Sequence, residues 1–327
     1  MNDQDESAPI PVADVLQAAG IAATPVTVDE VDEWTGRGVT VETNTGDQFR
    51  IVPFPDSEAL ARKEAAIRQR VRAETTVPVM PIVAVVPAQD AFQYPMIIAR
   101  DEGGLPVFDI AGLSPSKQIV LFEEFGAALA ALHDIGFDQF GPVGTDGQTV
   151  IDGTSTWRER MFSRLTKGID SLEDTAFASY HDAATALVES TRADLRHSFD
   201  PVLVKHTYQF EQVLVTPESE PLVQAIRGFE RALAAPAEYG YAVARWQLCD
   251  RAFRSPSFKE AFETEYLAHT AIDEDPAADR RQSLYHLEQL LVEISTFEQT
   301  RDSEGENDDA TRRRDRLRQH LDRVLSM

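Results

Sequence analysis

Cysteine is almost absent from this sequence, and so are long apolar runs. Cys249 is the only cysteine in 327 residues, which excludes an intramolecular disulfide and a cysteine-based zinc site. Because it lies in an apolar stretch, it is predicted to be a core residue. The longest apolar run, near residues 77–86, contains two prolines and is far shorter than the roughly 20 residues of a membrane-spanning helix. The acidic, polar N-terminus is unlike a signal peptide, so we predict a cytoplasmic protein without membrane contact.

Lysine is also scarce. Five of the 31 basic residues are lysine and 26 are arginine, while 55 residues are acidic, which gives a net charge of −24. A dense acidic surface with few lysines is typical of a protein from a high-salt cytoplasm, where the Debye length is about 3 Å at 1 M salt. The alternative is that the acidic surface meets a basic partner. Nonspecific nucleic-acid binding needs a basic surface, so we expect no nucleic-acid partner.

Motifs for metal binding and for serine hydrolysis are missing as well. The seven histidines are scattered and form no close metal-ligand pair, which favours structural or surface positions for them. No Gly-x-Ser-x-Gly segment supports Ser/His/Asp catalysis. The histidines are His133, His181, His197, His206, His269, His286 and His320.

The first third of the chain has the pattern of strands around one helix. Hydrophobic residues make up 43% of the chain, as in globular proteins. A hairpin is predicted over residues 39–52, around the turn Asn44-Thr-Gly-Asp47. A helix is predicted over residues 56–74, with Ser57 as its cap, and another strand pair within residues 83–99.

The rest of the chain is mostly helical in pattern, with one strand-rich insertion. A charged linker is expected over residues 302–309. After it, apolar residues at helical spacing in the arginine-rich segment 311–325 predict a helix that docks on the body or meets a partner. Helices are predicted over residues 12–19, 116–133, 157–165, 180–195, 241–253, 258–271, 283–300 and 311–325.

The most informative stretch is Leu203-Val-Lys-His-Thr-Tyr-Gln-Phe-Glu-Gln-Val-Leu-Val215, followed by Ala225-Ile-Arg-Gly-Phe-Glu230. It reads as a buried strand, a polar loop, a second strand, and then a third strand that runs into a turn. These segments resemble the catalytic and metal-binding loops of the aminoglycoside phosphotransferase family, relatives of choline kinases and protein kinases. That family has His-Gly-Asp, four variable residues, Asn, and later Ile-Asp-Phe/Trp-Glu. The spacing and the apolar residues of these motifs are present here, but their catalytic and metal-binding residues are substituted.

The resemblance implies an α+β, bilobal protein-kinase-like fold with a small β-rich N-lobe and a mostly helical C-lobe. It extends from about residue 25 to about residue 300. We expect a tail and short helix over residues 1–24, the N-lobe over 25–100 and the C-lobe over 101–300. An acidic linker and the arginine-rich helix would complete the chain over residues 301–327.

The resemblance also implies which positions would face a nucleotide. The family lysine falls at Val52 or Pro53, which carry no charge, and Arg50 lies on the same face at a different depth. Glu64 matches the helix glutamate that normally pairs with that lysine. The further candidate positions for cofactor binding are Gly36 and Gly38 in a short phosphate-covering loop, and Ala99 and Asp101 at the hinge around residues 100–104. The glycines of this hinge, Gly103 and Gly104, permit a backbone bend.

Two alignments of the catalytic loop are possible. With His206 at the family histidine, Tyr208 takes the place of the catalytic aspartate. A gapless match puts Lys205 at the histidine and Thr207 at the aspartate. In both cases no carboxylate occupies the base position, and Gln212 replaces the metal-binding asparagine with a side chain one methylene longer.

The second loop departs from the family in the same way. Gly228 occupies the position of the metal-binding aspartate and offers no side-chain ligand. Glu230 matches the glutamate of the family motif and is a possible substitute metal ligand. Gly240 stands where the family has a structural aspartate. Losing the metal and lysine contacts together should leave little phosphoryl transfer.

Three functional hypotheses follow. The first is a catalytically degenerate member, a pseudokinase, that needs no cofactor and binds an unknown protein or small-molecule ligand. The second is an active small-molecule phosphotransferase that uses ATP and Mg and has a rebuilt site, with base and metal roles passing to His206, Glu211, Glu230 or Asp250. The third is a structural interaction protein that uses its C-terminal helix.

Overall fold

The computed structural model describes residues 9–33, 36–55, 57–107, 110–154, 156–196, 199–250, 255–270, 277–304 and 308–326. These residues form a β-rich N-terminal lobe and a mostly helical C-terminal lobe. The α+β, bilobal architecture predicted from the sequence is therefore confirmed. Among the described helices, none combines the length and apolar character that crossing a membrane requires.

The N-terminal lobe is built on an antiparallel sheet with the strand order β1-β2-β3-β5-β4. Its strands are β1 (Pro25–Glu33), β2 (Gly36–Thr43), β3 (Gln48–Pro53), β4 (Ile82–Val86) and β5 (Met96–Arg100). Gly46 adopts φ +80° in the turn between β2 and β3, and Val41 lies opposite Phe49 across these two strands. The predicted hairpin is thus present, with its glycine in the left-handed region that favours this residue.

One helix packs on each face of this sheet. On one face, α1 (Val12–Ala18) packs Val15 and Leu16 against the buried side of the sheet. On the other, α2 (Glu58–Glu74) starts at its predicted cap, where the Ser57 hydroxyl accepts the Leu60 N–H at 3.2 Å. Since α2 also contributes Ile67 to the main core of the C-terminal lobe, it carries its polar residues to the boundary between the lobes.

The C-terminal lobe surrounds one large apolar core. Within it, α3 packs along α7, and Cys249 is buried as the sequence predicted. Burial raises the pKa of the Cys249 thiol to about 12, so this residue behaves as a small apolar side chain. The helices are α3 (Pro115–Leu132), α4 (Trp157–Asp170), α5 (His181–Thr191), α6 (Ala237–Arg245), α7 (Pro256–His269), α8 (Ala278–Glu304) and α9 (Asp308–Leu325).

Two small sheets position the loops between the lobes. In one, the strand order is β10-β9-β6, and in the other it is β7-β11-β8. Because β8 and β9 lie in different sheets, the chain between them crosses from one sheet to the other. The strands are β6 (Leu105–Pro106), β7 (Gly141–Pro142), β8 (Val202–Val204), β9 (Val213–Val215), β10 (Val223–Ile226) and β11 (Leu233–Ala235).

Two stretches differ from the sequence prediction. The helix expected over 241–253 is observed as α6 followed by a π-helical turn, Trp246–Asp250, and residues 251–254 lie outside the described part. The linker expected over 302–309 is helical wherever it is described, because α8 runs to Glu304 and α9 starts at Asp308. The described residues here are aspartate, serine and glutamate, and acidic residues are favoured in the first turn of a helix, so a run of charge does not by itself end helical structure.

The C-terminal helix α9 docks on the body of the protein. Leu317, Leu321 and Val324 are between 0% and 4% exposed and belong to the main core. The His320 ring meets Trp246 edge-on, with ring centroids 5.0 Å apart. The sequence left open whether this helix docks on the body or meets a partner, and in the structure it docks on the body.

Candidate functional site

The two loops that the sequence singled out lie side by side. One spans residues 205–212 between β8 and β9, and the other spans residues 227–230 after β10. The Arg227 N–H donates to the Gln212 carbonyl at 2.9 Å. Val213 and Ile226 are opposite each other in the paired strands β9 and β10. Strand pairing thus fixes the point at which the two loops meet.

Lys205, the first residue after β8, directs its ammonium group into this junction. It is 2% exposed, and its Nζ donates to the Thr207 carbonyl and to Oε1 of Gln212. Burial lowers the pKa of Lys205 to about 8, while the carboxylates of Glu230 and Glu64 act in the opposite direction. A charged ammonium group therefore lies between the loops at neutral pH.

Gln212 occupies the space beside Gly228. The backbone of Gly228 has φ +85°, a conformation that glycine adopts without strain. A Cβ atom here would lie 2.3 Å from Nε2 of Gln212. The aspartate that the resemblance implies at position 228 would therefore require the Gln212 side chain to move.

Glu64 extends from α2 to the second loop. It is 0% exposed, and its carboxylate accepts the N–H of Gly228 at 3.1 Å and the N–H of Phe229. Arg68, one turn further along α2, lies 3.7 Å from the same carboxylate. The family glutamate pairs with a lysine. Glu64 instead binds the backbone of the second loop and lies close to Arg68 of its own helix.

Glu230 lies close to two lysines. Lys63 donates to the Ala232 carbonyl at 2.9 Å, and burial lowers its pKa to about 8 against the influence of Glu230. Burial and the neighbouring Glu64 raise the pKa of Glu230, while Lys205 opposes the rise. Oε2 of Glu230 is buried and has no hydrogen-bond partner among the described residues. Its charge is therefore compensated through space by the lysines.

His206 is held in the left-handed region at φ +71°. Its Nε2 lies 3.3 Å from Nη2 of Arg164 and 3.3 Å from Nε2 of Gln289. Both of these groups are donors, so Nε2 accepts and the ring proton is on Nδ1. Burial lowers the pKa of His206 to about 4. The lone pair of Nε2 is thus already engaged and the imidazole is a weak base, which argues against a role as the substitute base.

Neither residue at the possible base positions is a carboxylate. The Thr207 carbonyl accepts from Lys205. Tyr208 is 4% exposed, and its N–H donates to Oε1 of Gln247 at 2.6 Å. Burial raises the pKa of the Tyr208 phenol well above its usual range, so it stays protonated.

Arg50 lies on the hinge side of the cleft between the lobes. It extends from β3, is 2% exposed, and its Nη2 donates to the Gly104 carbonyl at 2.9 Å. The same nitrogen lies 3.3 Å from Oδ1 of Asp101. Gly103 and Gly104 have φ +88° and +87°, which is the backbone bend that the sequence assigned to these glycines. The guanidinium group therefore binds the hinge itself.

Apolar residues of both lobes meet directly next to Arg50. Ala99 on β5 lies opposite Arg50 on β3 and packs in one cluster with Met80, Leu214 and Ala225. These four residues are 0% to 2% exposed. The space between the lobes is closed here by the protein's own side chains.

The two glycines of the expected phosphate-covering loop lie in β2. Gly36 is opposite Glu33 and Gly38 is opposite Val31 in the ladder with β1. Trp34 and the residue after it lie outside the described residues. Both glycines thus belong to the end of a regular antiparallel hairpin.

Gly240 on α6 gives room to a buried histidine. A Cβ atom at this position would lie 2.5 Å from Nε2 of His133, and Nδ1 of His133 is 2.8 Å from the Tyr266 hydroxyl. Burial lowers the pKa of His133 to about 3. The neutral ring of His133 therefore occupies the space that the family's structural aspartate would need at position 240.

Of the remaining substitutes, the Asp250 carboxylate is already engaged, since it accepts from Nε of Arg245 at 3.1 Å. Glu211 contacts the second loop through its backbone, where its carbonyl accepts from Nη2 of Arg227 at 3.1 Å. Within the described ranges, no group of three or more His, Cys, Asp or Glu residues is arranged to hold a metal ion. Gly228 offers no side-chain ligand and Oε1 of Gln212 already accepts from Lys205, so these two positions do not fit the magnesium ion that a kinase-like fold implies.

A cavity of about 510 Å³ remains open next to the loops. It is bounded by the end of β3, by the first loop, by α8 and by α9. Amide side chains supply much of its polar lining, and they are cross-linked, since Nε2 of Gln247 donates to Oε1 of Gln289 at 2.7 Å. Its wall includes Phe54, His206, Gln209, Gln212, Glu230 and Arg313. This cavity therefore offers hydrogen-bond donors and hydrogen-bond acceptors to a polar ligand.

Several residues of the site were not identified from the sequence. Lys63 shows no motif of its own. Arg164 and Glu288, which form an ion pair, lie far apart in the chain on α4 and α8. The scarcity of lysine was the one available signal, because two of only five lysines, Lys63 and Lys205, are buried at this site.

Comparison with known proteins identifies the fold. No family profile matches the chain, and no curated protein matches it. Among solved structures, the chain is similar to aminoglycoside phosphotransferase APH(4)-Ia, at 14% sequence identity and a TM-score of 0.67, over 96% of this chain and 97% of that chain.

Two further solved structures show the same likeness. A candidate aminoglycoside phosphotransferase from Ralstonia eutropha is 15% identical with a TM-score of 0.63, over 96% of this chain and 95% of that chain. A candidate fructosamine-3-kinase from Thermobifida fusca is 16% identical with a TM-score of 0.62, over 96% and 98%. The chain therefore has the bilobal, kinase-like fold of the aminoglycoside phosphotransferases, as the loops at residues 203–230 indicated.

Proposed function

We propose that this chain is a catalytically degenerate, aminoglycoside phosphotransferase-like protein that acts by binding a ligand or a partner. It is a pseudokinase in this proposal, and it works in the cytoplasm without ATP or magnesium. A fold alone does not determine a function, so the proposal rests on the site.

The observation that carries the proposal is the position of Arg50. Its guanidinium group donates to the Gly104 carbonyl at 2.9 Å, and by resemblance the backbone of this hinge would hold an adenine. Removing a buried arginine from Asp101 and Gly104 would leave both groups without their charged partner, at a cost of about 3–5 kcal/mol for a buried pair. A nucleotide would have to displace Arg50 against this cost.

The two loops support the same proposal. Phosphoryl transfer needs metal ligands and a group that orients the acceptor. Gln212 and Gly228 stand at the metal-ligand positions, and Thr207 and Tyr208 at the base positions. Each missing transition-state contact is worth about 2.7–4 kcal/mol, so the combined loss removes the ordinary route.

The cavity of about 510 Å³ is where we place the ligand. Its volume lies within the usual range for small-molecule sites. Glu230 and Arg231 in its wall offset each other in charge, and Gln247 and Gln289 supply neutral donors and acceptors. These groups suit a small, polar molecule better than a polycation.

ATP binding and turnover in molar KCl test the proposal. We expect no shift of the melting temperature with ATP, with or without magnesium, and no ATP hydrolysis. In Arg50→Ala the hinge carbonyl is free, so nucleotide binding should improve. The control is Arg100→Ala, whose side chain is 56% exposed and pairs with Asp47, and it should behave like the wild type.

One outcome would replace the proposal by the active alternative. Magnesium-dependent ATP turnover by the wild type, abolished by Glu230→Gln, would establish a phosphotransferase with a rebuilt site. Turnover that survives Glu230→Gln and disappears in His206→Ala would assign the rebuilt role to the imidazole.

A further inference from the structure

The acceptors of Lys205 are of the kind that a hard divalent cation takes. Its Nζ donates to the Thr207 carbonyl and to Oε1 of Gln212. Magnesium and calcium bind carbonyl, amide and carboxylate oxygens. Gln212 moreover stands at the position of a metal ligand in the family that the loop resembles. The ammonium group thus uses an oxygen set that could otherwise hold a metal ion.

The carboxylates around Lys205 depend on its charge. Glu230 and Glu64 both stabilise the charged form of Lys205, and Glu230 Oε2 is buried without a hydrogen-bond partner among the described residues. Glu64 has both oxygens bonded by the N–H groups of Gly228 and Phe229. Glu230 is therefore the carboxylate that most needs a cation nearby.

The other cations of the site have different acceptors. Lys63 donates to the Ala232 carbonyl, Arg68 to the Met80 carbonyl, and Arg227 to the Glu211 carbonyl. None of these three bonds involves Thr207 or the side chain of Gln212. Lys205, by contrast, donates to the Thr207 carbonyl and to the side chain of Gln212.

We infer that the ammonium group of Lys205 is a built-in cation that stands in place of a divalent metal ion between the two loops. Any occupant of the neighbouring cavity therefore binds without a metal. The inference deepens the proposed function and rests on it, because both describe a site that works without magnesium.

The replacement has a physical advantage in a protein of net charge −24. Free divalent cations are attracted to many acidic groups on such a surface. An ammonium group fixed by two acceptors occupies its position at any metal concentration and at any ionic strength. The geometry of the loops is then independent of the metal supply.

Removing the ammonium group tests the inference. Melting temperatures of wild type, Lys205→Met and Lys63→Met are measured in molar KCl, with millimolar magnesium or with a chelator. We expect magnesium to leave the wild type and Lys63→Met unchanged and to raise the melting temperature of Lys205→Met by several degrees. Adding Gln212→Ala to Lys205→Met should abolish that gain.

Two results would overturn the inference. One is a folded Lys205→Met protein with no magnesium response. The other is saturable Mn²⁺ binding by the wild type, seen by electron paramagnetic resonance in molar KCl, that Gln212→Ala removes. Neither depends on ATP turnover by the wild type, so failure here is distinguishable from failure of the proposed function.

A second variant decides the matter if Lys205→Met does not fold. Gln212→Glu keeps the shape of the side chain and puts a carboxylate against the ammonium group. If Lys205 acts as the cation of the site, this variant should melt at or above the wild-type temperature and should show no magnesium response. A clear fall in its melting temperature, or stabilisation by magnesium, would contradict the assignment.

Discussion

The carboxylate of Glu64 accepts the backbone N–H of Gly228 at 3.1 Å. It thereby joins the helix of the N-terminal lobe to the second loop of the C-terminal lobe. In the family that this sequence resembles, the matching glutamate pairs with a lysine of the third strand. Here the contact is made to the backbone, so it does not depend on the side chain at position 228.

Glu64→Ala should therefore be strongly destabilising. It leaves the buried N–H groups of Gly228 and Phe229 without an acceptor, which costs about 1–3 kcal/mol for each group. Chemical denaturation in molar KCl measures the loss. The matched control on the same helix is Glu58→Ala, because Glu58 is 43% exposed and pairs with Arg62, a contact worth roughly 0–1 kcal/mol. Equal effects of the two substitutions would show that the Glu64 contact is unimportant.

Gly228→Ala should be destabilising for two separable reasons. The left-handed backbone strains any residue with a Cβ atom by about 1–2 kcal/mol, and the contact with Gln212 adds a clash of roughly 1–3 kcal/mol. Gly46→Ala isolates the first cause, because Gly46 has φ +80° and a Cβ atom there would meet nothing within 4 Å. In a Gln212→Ala background the clash should disappear and the strain should remain.

Local features of this fold could be predicted from the sequence, and long-range contacts could not. The β2–β3 hairpin and the Ser57 cap follow from residues within one turn of each other. The bend at Gly103 and Gly104 follows from the freedom of glycine, while its place as a hinge came from the family resemblance. Each of these features is a preference of the backbone at one position, which a short segment of sequence carries completely.

The contacts of the site depend on tertiary structure. Glu64 was correctly placed on a helix, yet its partners, the N–H groups of Gly228 and Phe229, have no side chain that could reveal the pairing. Arg50 was recognised as near the cleft, but its bond to the Gly104 carbonyl spans 54 residues. Lys205 was considered only as a stand-in for histidine, because its oxygen acceptors become visible only when the loop is folded.

Acid should destabilise the protein through its buried neutral histidines. Burial lowers the pKa of His286 to about 4, below the value near 6.5 of an unfolded chain. The unfolded state then binds the proton more tightly, so this stability is complete above pH 6.5 and is lost as the pH falls towards 4. One histidine with this shift contributes about 3 kcal/mol.

His286→Phe tests this contribution. Phenylalanine can keep the stacking on Trp246, whose ring centroid is 4.7 Å from that of His286, and it has no proton to gain. The stability of the variant should fall less steeply than that of the wild type between pH 6.5 and 4. His269→Phe is the control, since His269 is 58% exposed. Parallel profiles for all three proteins would refute the assignment.

Salt should stabilise the protein if its acidic surface is adapted to high ionic strength. A net charge of −24 destabilises the compact state by self-repulsion, and molar salt shortens the screening length to about 3 Å. We expect the melting temperature to rise continuously from low to molar KCl. Sucrose, which favours burial without screening charge, should be less effective in the dilute range. A melting temperature that is flat or falls with KCl would remove the support for a high-salt origin.

The C-terminal helix should be part of the stable body, which bears on the hypothesis that it is an interaction arm. Leu321 is 0% exposed in the main core, so Leu321→Ala should cost about 2–5 kcal/mol. Arg316→Ala, at an exposed position of the same helix, should change stability by less than about 0.5 kcal/mol. Both are measured by chemical denaturation in molar KCl. If Leu321→Ala were as harmless as Arg316→Ala, α9 would contribute little to the fold and would be available to a partner, and deletion of residues 302–327 should then abolish complex formation without unfolding the body.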